Sequence, residues 1–414
     1  MTDSDPRRTL LLDLLQSALS AVGGRRTTCV ALRERASSWA GSDPVWVIAV
    51  GKAAAAQALG AHDAFGSRIA RVLLITKDGH TDAEARKLPH LTLIEAAHPV
   101  PDARSLQAGA ALVEWVADVP RAARLVFLIS GGASSLAEHL NPGVTLAELQ
   151  RLNHEGLASG ADIAALNARR RQISNLKGGQ LAARLRGREA LALFISDVPG
   201  DDPAVIGSGL MGAAPGGDHV ERVVVASVTG AMQAVAERVS AVNALLAHRA
   251  PTQPALTIAE GLQRFNADAE RLAVRFVHEL HFSRAPLHVW GGESTVRLPA
   301  HPGRGGRNQH LALAAAKTLA GEEKLFLLAV GTDGTDGATD DAGAIVDGDT
   351  CGRIAAAGLD VDDCLRRADS APALAAAGDL VHTGPTGTNV GDLVLGLKLG
   401  KDSALAWLNA RSRP

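Results

Sequence analysis

The chain has 414 residues, more than one ordinary hydrophobic core accommodates, so two domains are expected. Its composition, 46% apolar and 21% charged, is globular and excludes a disordered class. A net charge of -2 offers no electrostatic footprint for nucleic acid or an anionic membrane, and the absence of Tyr weakens any base-stacking platform.

The first predicted element is a helix over residues 8–22. Leu11, Leu14, Leu15, Ala18, Leu19 and Val22 share one face, and Asp13 and Gln16 interrupt the run a signal segment would need. No apolar stretch approaches the length of a membrane span, and Cys29, Cys351 and Cys364 are odd in number and far apart. These features suit a cytoplasmic protein. VWVIAV at 45–50 predicts a buried strand, followed by an Ala-rich helix over 52–60. Strands are expected at 71–76, 91–96, 124–129 and 190–195, with helices over 103–117 and 145–159. Thr145 and Glu148 supply a capping box for the latter. A further helical region, 162–185, is interrupted at Lys177-Gly178-Gly179. This alternation predicts an α/β fold with a mostly parallel, doubly wound sheet.

A loop over 212–219, a strand at 222–226 and a helix to about 248 complete the first domain, 8–248. RAPTQPA at 249–255 reads as a linker. An amphipathic helix is expected next, capped by Thr257 and Glu260, with Ile258, Leu262, Phe265, Ala269, Leu272 and Phe276 on one face. Residues 249–286 thus form a linker and helix, and 287–410 a second αβ domain. Within it are expected a strand at 287–290, a Gly-rich turn, a short strand, a helix over 308–320 and a strand over 324–330. HTGPTGTN, ending at Asn389, would open a final helix.

Five apolar runs end in small, Gly-rich polar segments: GKAA, SGGASS, SDVPGDD, GGEST and GTDGTDGATD. Open parallel sheets bind ligands beyond the carboxyl ends of their strands, and Gly-rich turns there expose N–H groups to phosphate. Lys52 at a helix start would hold an anion or snorkel at the surface. Ser130, Gly131, Gly132 and Ser134 would offer donors to a ligand or form a tight turn. The GxxxxGK[ST] phosphate loop is absent. Asp197, with Asp201 and Asp202, would hold Mg2+, orient a hydroxyl or form a solvated loop. Arg307, at the end of GRGGR, offers bidentate donors to phosphate or carboxylate. Asp333 or Asp336 would bind a cation, while the surrounding backbone would suit phosphate. HxxH at His278 and His281 lacks a third ligand nearby and reads as surface histidine.

Together these strings resemble the glycerate 2-kinase family, often labelled hydroxypyruvate reductase, whose C-terminal part is the MOFRL domain. The matching segments include VGKAA at 50–54, TKDGH at 76–80, HPVPDARS at 98–105, SGGASS at 130–135, ISNLKGGQLA at 173–182 and ISDVPGDDPAVIGSG at 195–209. They continue with GGESTV at 291–296, GRGGRNQHLALA at 303–314, GTDGTDGATDDAGA at 331–344 and TGPTGTNVGDL at 383–393. The resemblance implies phosphorylation of D-glycerate by ATP with a divalent cation, giving 2-phosphoglycerate. It implies a Rossmann-like N-terminal domain and a smaller αβ C-terminal domain, with the active site in a cleft between them. Lys52 and Arg307 match the family's proposed active-site groups, and the SGG turn, Lys177 and Asn389 would line the same site. A homodimer is also expected. Ser208-Gly209-Leu210-Met211 departs from the family's SGPT, which leaves open a related hydroxy acid or a nucleotide-binding protein without turnover. An NAD(P)H-dependent hydroxypyruvate reductase would want GxGxxG in the first turn, which GKAAAAQALG does not provide.

Overall fold

The computed structural model describes residues 5–39, 41, 43–159 and 163–411. The chain divides into two compact units. The first, Val22–Ser227 with Gly387–Val390, is built on a parallel sheet. Its strands are β1 (Val45–Val50), β2 (Ile69–Lys77), β3 (Leu91–Ala96), β4 (Arg124–Ile129), β5 (Ala190–Ile195) and β6 (Val220–Ala226). They run in the order β3-β2-β1-β4-β5-β6, every pair parallel. This is the doubly wound, Rossmann-type order, with its switch point between β1 and β4. VWVIAV is wholly apolar because both faces of β1 are covered. Trp46, Ile48 and Val50 enter one core, while Val45, Val47 and Ala49 enter the other.

The second unit comprises residues up to Ala21, Val228–Thr386 and the segment from Gly391 onward. Its strands are β7 (Gln263–Asp268), β8 (Leu287–Thr295), β9 (Leu325–Gly331), β10 (Gly343–Asp347), β11 (Leu380–Val381) and β12 (Asp392–Lys398). The order is β11-β10-β9-β12-β8-β7, antiparallel except where β7 meets β8. The two units are of nearly equal length, because the second adds the helices Pro6–Ala21 and Val228–Arg249 and strand β7 to the smaller C-terminal domain expected. Their bounds also differ from the expected 8–248 and 287–410. The helices Pro6–Ala21 and Val228–Arg249 cluster with the mixed sheet, and Arg238 on the latter bonds Asp13 on the former at 3.0 Å. The expected region 162–185 consists of two helices, Ile163–Ile173 and Gln180–Ala183; residue 162 lies outside the described residues.

Three expectations are corrected. The helix expected from Thr257 starts only at Ala269 and ends at Phe282, and its N-cap is Asp268, whose carboxylate accepts from Arg271 N at 3.2 Å. Leu272 and Phe276 keep the helical face, but Gln263–Asp268 is a strand that buries Phe265 and pairs with β8. The GGEST segment is no turn: β8 runs through it without a break. A Cβ on Gly292 would lie 2.0 Å from the Phe265 carbonyl oxygen, so its glycine serves the close approach of β7. Finally, no helix follows Asn389. DLVLGLK forms β12, paired on both sides inside the sheet, and the terminal helix begins at Lys401. A short buried strand and a short helix present the same apolar run, and only pairing separates them.

Candidate functional site

In the parallel-sheet unit, β1 and β4 lie in register, Val50 opposite Ile129, and both strands end at the switch point. Gly51-Lys52 and Ser130-Gly131-Gly132 therefore emerge side by side. Lys52 N donates to Gly131 O at 2.9 Å, and Ala53 N donates to Ser130 Oγ at 3.1 Å, which ties the two turns together. Ser130 is fully buried and its own N–H donates to Val50 O, so both its groups serve the turn. By contrast, no acceptor among the described residues takes the N–H of Gly131 or Gly132. Gly131 carries no side chain for a steric reason: a Cβ there would lie 1.8 Å from Asp197 Oδ2 and 2.1 Å from Asn389 Nδ2. Asp197 stands just beyond β5, and Asn389 Nδ2 donates to its Oδ2 at 3.1 Å. Lys52, Gly131, Gly132, Asp197 and Asn389 are thus gathered at one end of this sheet. Asn389 is a partner of Asp197, not a helix cap.

His98 was missed as a site residue. A Cβ built on Gly132 would lie 3.1 Å from Lys52 Cγ and 3.3 Å from His98 Cδ2, so the imidazole borders the same turn. The signal was the HPVPDARS segment, part of which is explained by capping. Asp102 accepts from Ser105 N, and its own N–H donates to the Ser105 hydroxyl, opening the helix Ala103–Asp118.

Ser134 turns aside: its Oγ lies 2.8 Å from Ser208 Oγ, which in turn donates to Asn167 Oδ1 at 3.0 Å. Leu210 and Met211, the departure from SGPT, are buried in the core on one face of the parallel sheet. Lys177 has a different place from the one expected. It is 1% exposed, and its ammonium pairs with the fully buried Glu138. Glu138 Oε1 also accepts from Ser174 Oγ at 2.5 Å and His139 N at 3.0 Å. Burial pulls Lys177 below the ordinary lysine value while Glu138 opposes that shift. Its position is that of a structural ion pair, withdrawn from any ligand.

In the mixed-sheet unit, Arg307 is the first residue of the helix Arg307–Leu319. Its Nη2 donates to Asp392 Oδ1 at 3.1 Å, its Nε lies 3.1 Å from Asp392 Oδ2, and its Nη1 donates to Glu293. Burial works against the charge, but Asp392, Glu293 and Asp336 outweigh it and hold the guanidinium above the ordinary arginine value. Asp336, 2% exposed, accepts from Asn308 N at 3.1 Å and Gln309 N at 2.7 Å, capping that helix from a distant loop. Burial pushes its carboxyl up to about 7, with Asp392 adding to the shift, while the two amides and Arg307 oppose it. Asp333, also buried, accepts from Thr335 N at 3.1 Å within its own loop. Sequence reasoning gave no role to Glu293 or Asp392, although both lie in family segments.

Among the described residues, no three His, Cys, Asp or Glu side chains converge as a metal cage, and no helix is long and apolar enough to cross a membrane.

Known proteins match nearly the whole chain, several of them named glycerate kinases, and two from Agrobacterium vitis, each 34% identical over 84% of this chain, named "putative hydroxypyruvate reductase". A domain of unknown function (DUF4147) matches residues 10–242, and the MOFRL family matches residues 286–392. D-glycerate 2-kinase of Thermotoga maritima is 35% identical, over 96% of this chain and 100% of that one. Glycerate 2-kinase of Pyrococcus horikoshii is 34% identical, over 86% of this chain and 88% of that one. The crystal structure of a Thermotoga maritima glycerate kinase superposes with a TM-score of 0.77 at 32% identity, covering 94% and 99% of the two chains. The parallel sheet with its switch-point turns, the mixed MOFRL sheet and these full-length matches agree: the chain belongs to the glycerate 2-kinase family.

Proposed function

We propose that this chain transfers a phosphoryl group from ATP to D-glycerate, giving 2-phospho-D-glycerate and ADP. The observation that carries the reading is similarity to a D-glycerate 2-kinase over 96% of the chain, which includes the Lys52 and Arg307 segments. Phosphoryl transfer asks a protein for positioning and charge neutralisation more than for covalent chemistry. Gly131 and Gly132 present two N–H groups beside the Lys52 backbone, an arrangement that suits phosphate oxygens. Lys52 supplies positive charge at the switch point. Mg2+ takes one or two carboxylates from a protein and the rest of its shell from phosphate and water. Asp197 is the carboxylate suited to it, steadied by Asn389. Bound there, Mg2+ would neutralise charge on the phosphate oxygens.

Arg307 has five N–H donors, of which the protein engages three. One N–H on each terminal nitrogen remains, a pair that matches a carboxylate or phosphate. A cytoplasmic setting accords with the three free cysteines.

The test is ADP release on adding D-glycerate, with NMR of the product to establish C2 phosphorylation. Lys52→Ala and Arg307→Ala are each expected to cut turnover sharply without unfolding the protein. Turnover near wild type in either variant refutes that residue's role. NADPH oxidation with hydroxypyruvate, and no ADP release, would return the reductase reading. ATP binding without turnover on a panel of hydroxy acids would favour the sensor reading. Burial of Leu210 and Met211 weakens that reading, because the substituted side chains fill the core.

A further inference from the structure

We propose that Asp392 is the positioning residue for Arg307, fixing the plane in which the guanidinium meets the substrate. The inference rests on the reading that Arg307 acts in turnover. Asp392 is 1% exposed and cannot itself reach a ligand in solvent, yet its carboxylate gathers donors from two elements. From the helix Arg307–Leu319 come Arg307 Nε and Nη2, and Asn308 Nδ2 at 2.9 Å. From β8 come Ser294 N at 3.1 Å and Ser294 Oγ at 3.3 Å, and Asp392 itself opens β12. Nε and Nη2 both donate to Oδ1, at 3.3 and 3.1 Å, and Nε also lies 3.1 Å from Oδ2, so the whole Nε–Nη2 edge lies against the carboxylate and its tilt and rotation are restrained.

The other carboxylates are placed for different work. Asp336 spends both oxygens on the helix amides, and Glu293, with its side chain 31% exposed, holds a single terminal nitrogen. Asp392 therefore sets the orientation, and the two remaining N–H groups inherit it. Misplacing a catalytic group by about 1 Å can cost about 100-fold in rate.

The test is a double-mutant cycle on kcat with Asp392→Asn and Arg307→Ala. In the presence of Arg307, Asp392→Asn is expected to lower kcat about 10- to 100-fold with far-UV CD unchanged. In the Arg307→Ala background, the same change is expected to cost nothing further. A merely structural role would cost equally in both backgrounds, and that result overturns the proposal, as does unchanged kcat in Asp392→Asn alone. If Arg307→Ala by itself keeps wild-type turnover, the underlying reading of Arg307 fails instead. Should Asp392→Asn not fold, Ser294→Ala removes one donor to the same carboxylate. It is expected to lower kcat roughly threefold with Arg307 present and not at all without it. No loss with Arg307 present, or an equal loss in both backgrounds, overturns the proposal.

Discussion

Replacing Lys177 with Met separates the two roles open to that lysine. Its ammonium is 1% exposed and faces Glu138, which is fully buried. With the lysine gone, the carboxylate keeps two neutral hydrogen-bond donors, Ser174 Oγ at 2.5 Å and His139 N at 3.0 Å, and the more distant charge of Arg170. Breaking a buried pair on one side typically costs about 3–5 kcal/mol, because the remaining charge is stranded. In a unit of this size, each kcal/mol lowers the melting temperature by about 2–4 °C, so Lys177→Met should lose roughly 6–20 °C. Adding Glu138→Gln removes the stranded charge while keeping an acceptor for Ser174 and His139. The double variant should recover most of the loss, to within about 1–2 kcal/mol of the parent. The assay is a thermal scan of the two variants and the parent, with kcat measured on each. Lys177→Met that melts like the parent but has lost turnover would refute the structural role and return Lys177 to the ligand-binding set. A double variant no more stable than the single would refute the argument from a stranded charge.

Gly131→Ala would place a methyl 1.8 Å from Asp197 Oδ2 and 2.1 Å from Asn389 Nδ2. Both side chains must move, so kcat should fall at least about tenfold, and parental kinetics would show that this turn does not hold the site together. Gly292→Ala should destabilise by roughly 2–4 kcal/mol, because its Cβ would meet the Phe265 carbonyl oxygen at 2.0 Å. Hydrogen exchange should locate the damage in β7, and unchanged protection there would contradict the pairing. Asp218 tests acid stability. Hydrogen bonds from Arg222, at 2.8 and 2.6 Å, outweigh burial, and the amides of Ala214 and Val220 add to them, so its carboxyl is held down to about 2. Because the folded-state value is depressed, its contribution of about 2 kcal/mol is present above the unfolded value near 4 and fades as pH falls toward 2. Asp218→Asn should lose that contribution at neutral pH. Equal slopes of melting temperature against pH for parent and variant between pH 4 and 2 would sink the assignment.

Much of the parallel sheet was legible in residue order. β1, β3, β4 and β5 match the expected spans to the residue: β1 (VWVIAV) and β5 (ALALFI) are wholly apolar six-residue runs, and β3 (LTLIEA) and β4 (RLVFLI) are mostly so. The turns after β1, β4 and β5 were also found, and with them Lys52, Gly131, Gly132 and Asp197. The second half was harder to read. Ile258, Leu262 and Phe265 fall at helical spacing before Ala269, but Gln263–Asp268 is held by hydrogen bonds to β8, with Gln263 opposite Trp290 and Asp268 opposite Thr295. The same limit hid β12, whose partners β8 and β9 come from earlier in the chain.

The sequence by itself determined the family, the doubly wound α/β class and the small set of polar residues that interrupt its apolar runs. These are local properties, written in periodicity, turn chemistry and the wording of short segments. Only the tertiary structure decided what each polar residue faces. It withdrew Lys177 into a pair with Glu138, turned Asn389 from a helix cap into a partner of Asp197, and set Asp392 behind Arg307. A buried charge has to find an opposite charge or a set of donors, and that partner is chosen by packing between segments far apart in sequence. No pattern of spacing along the chain carries that information.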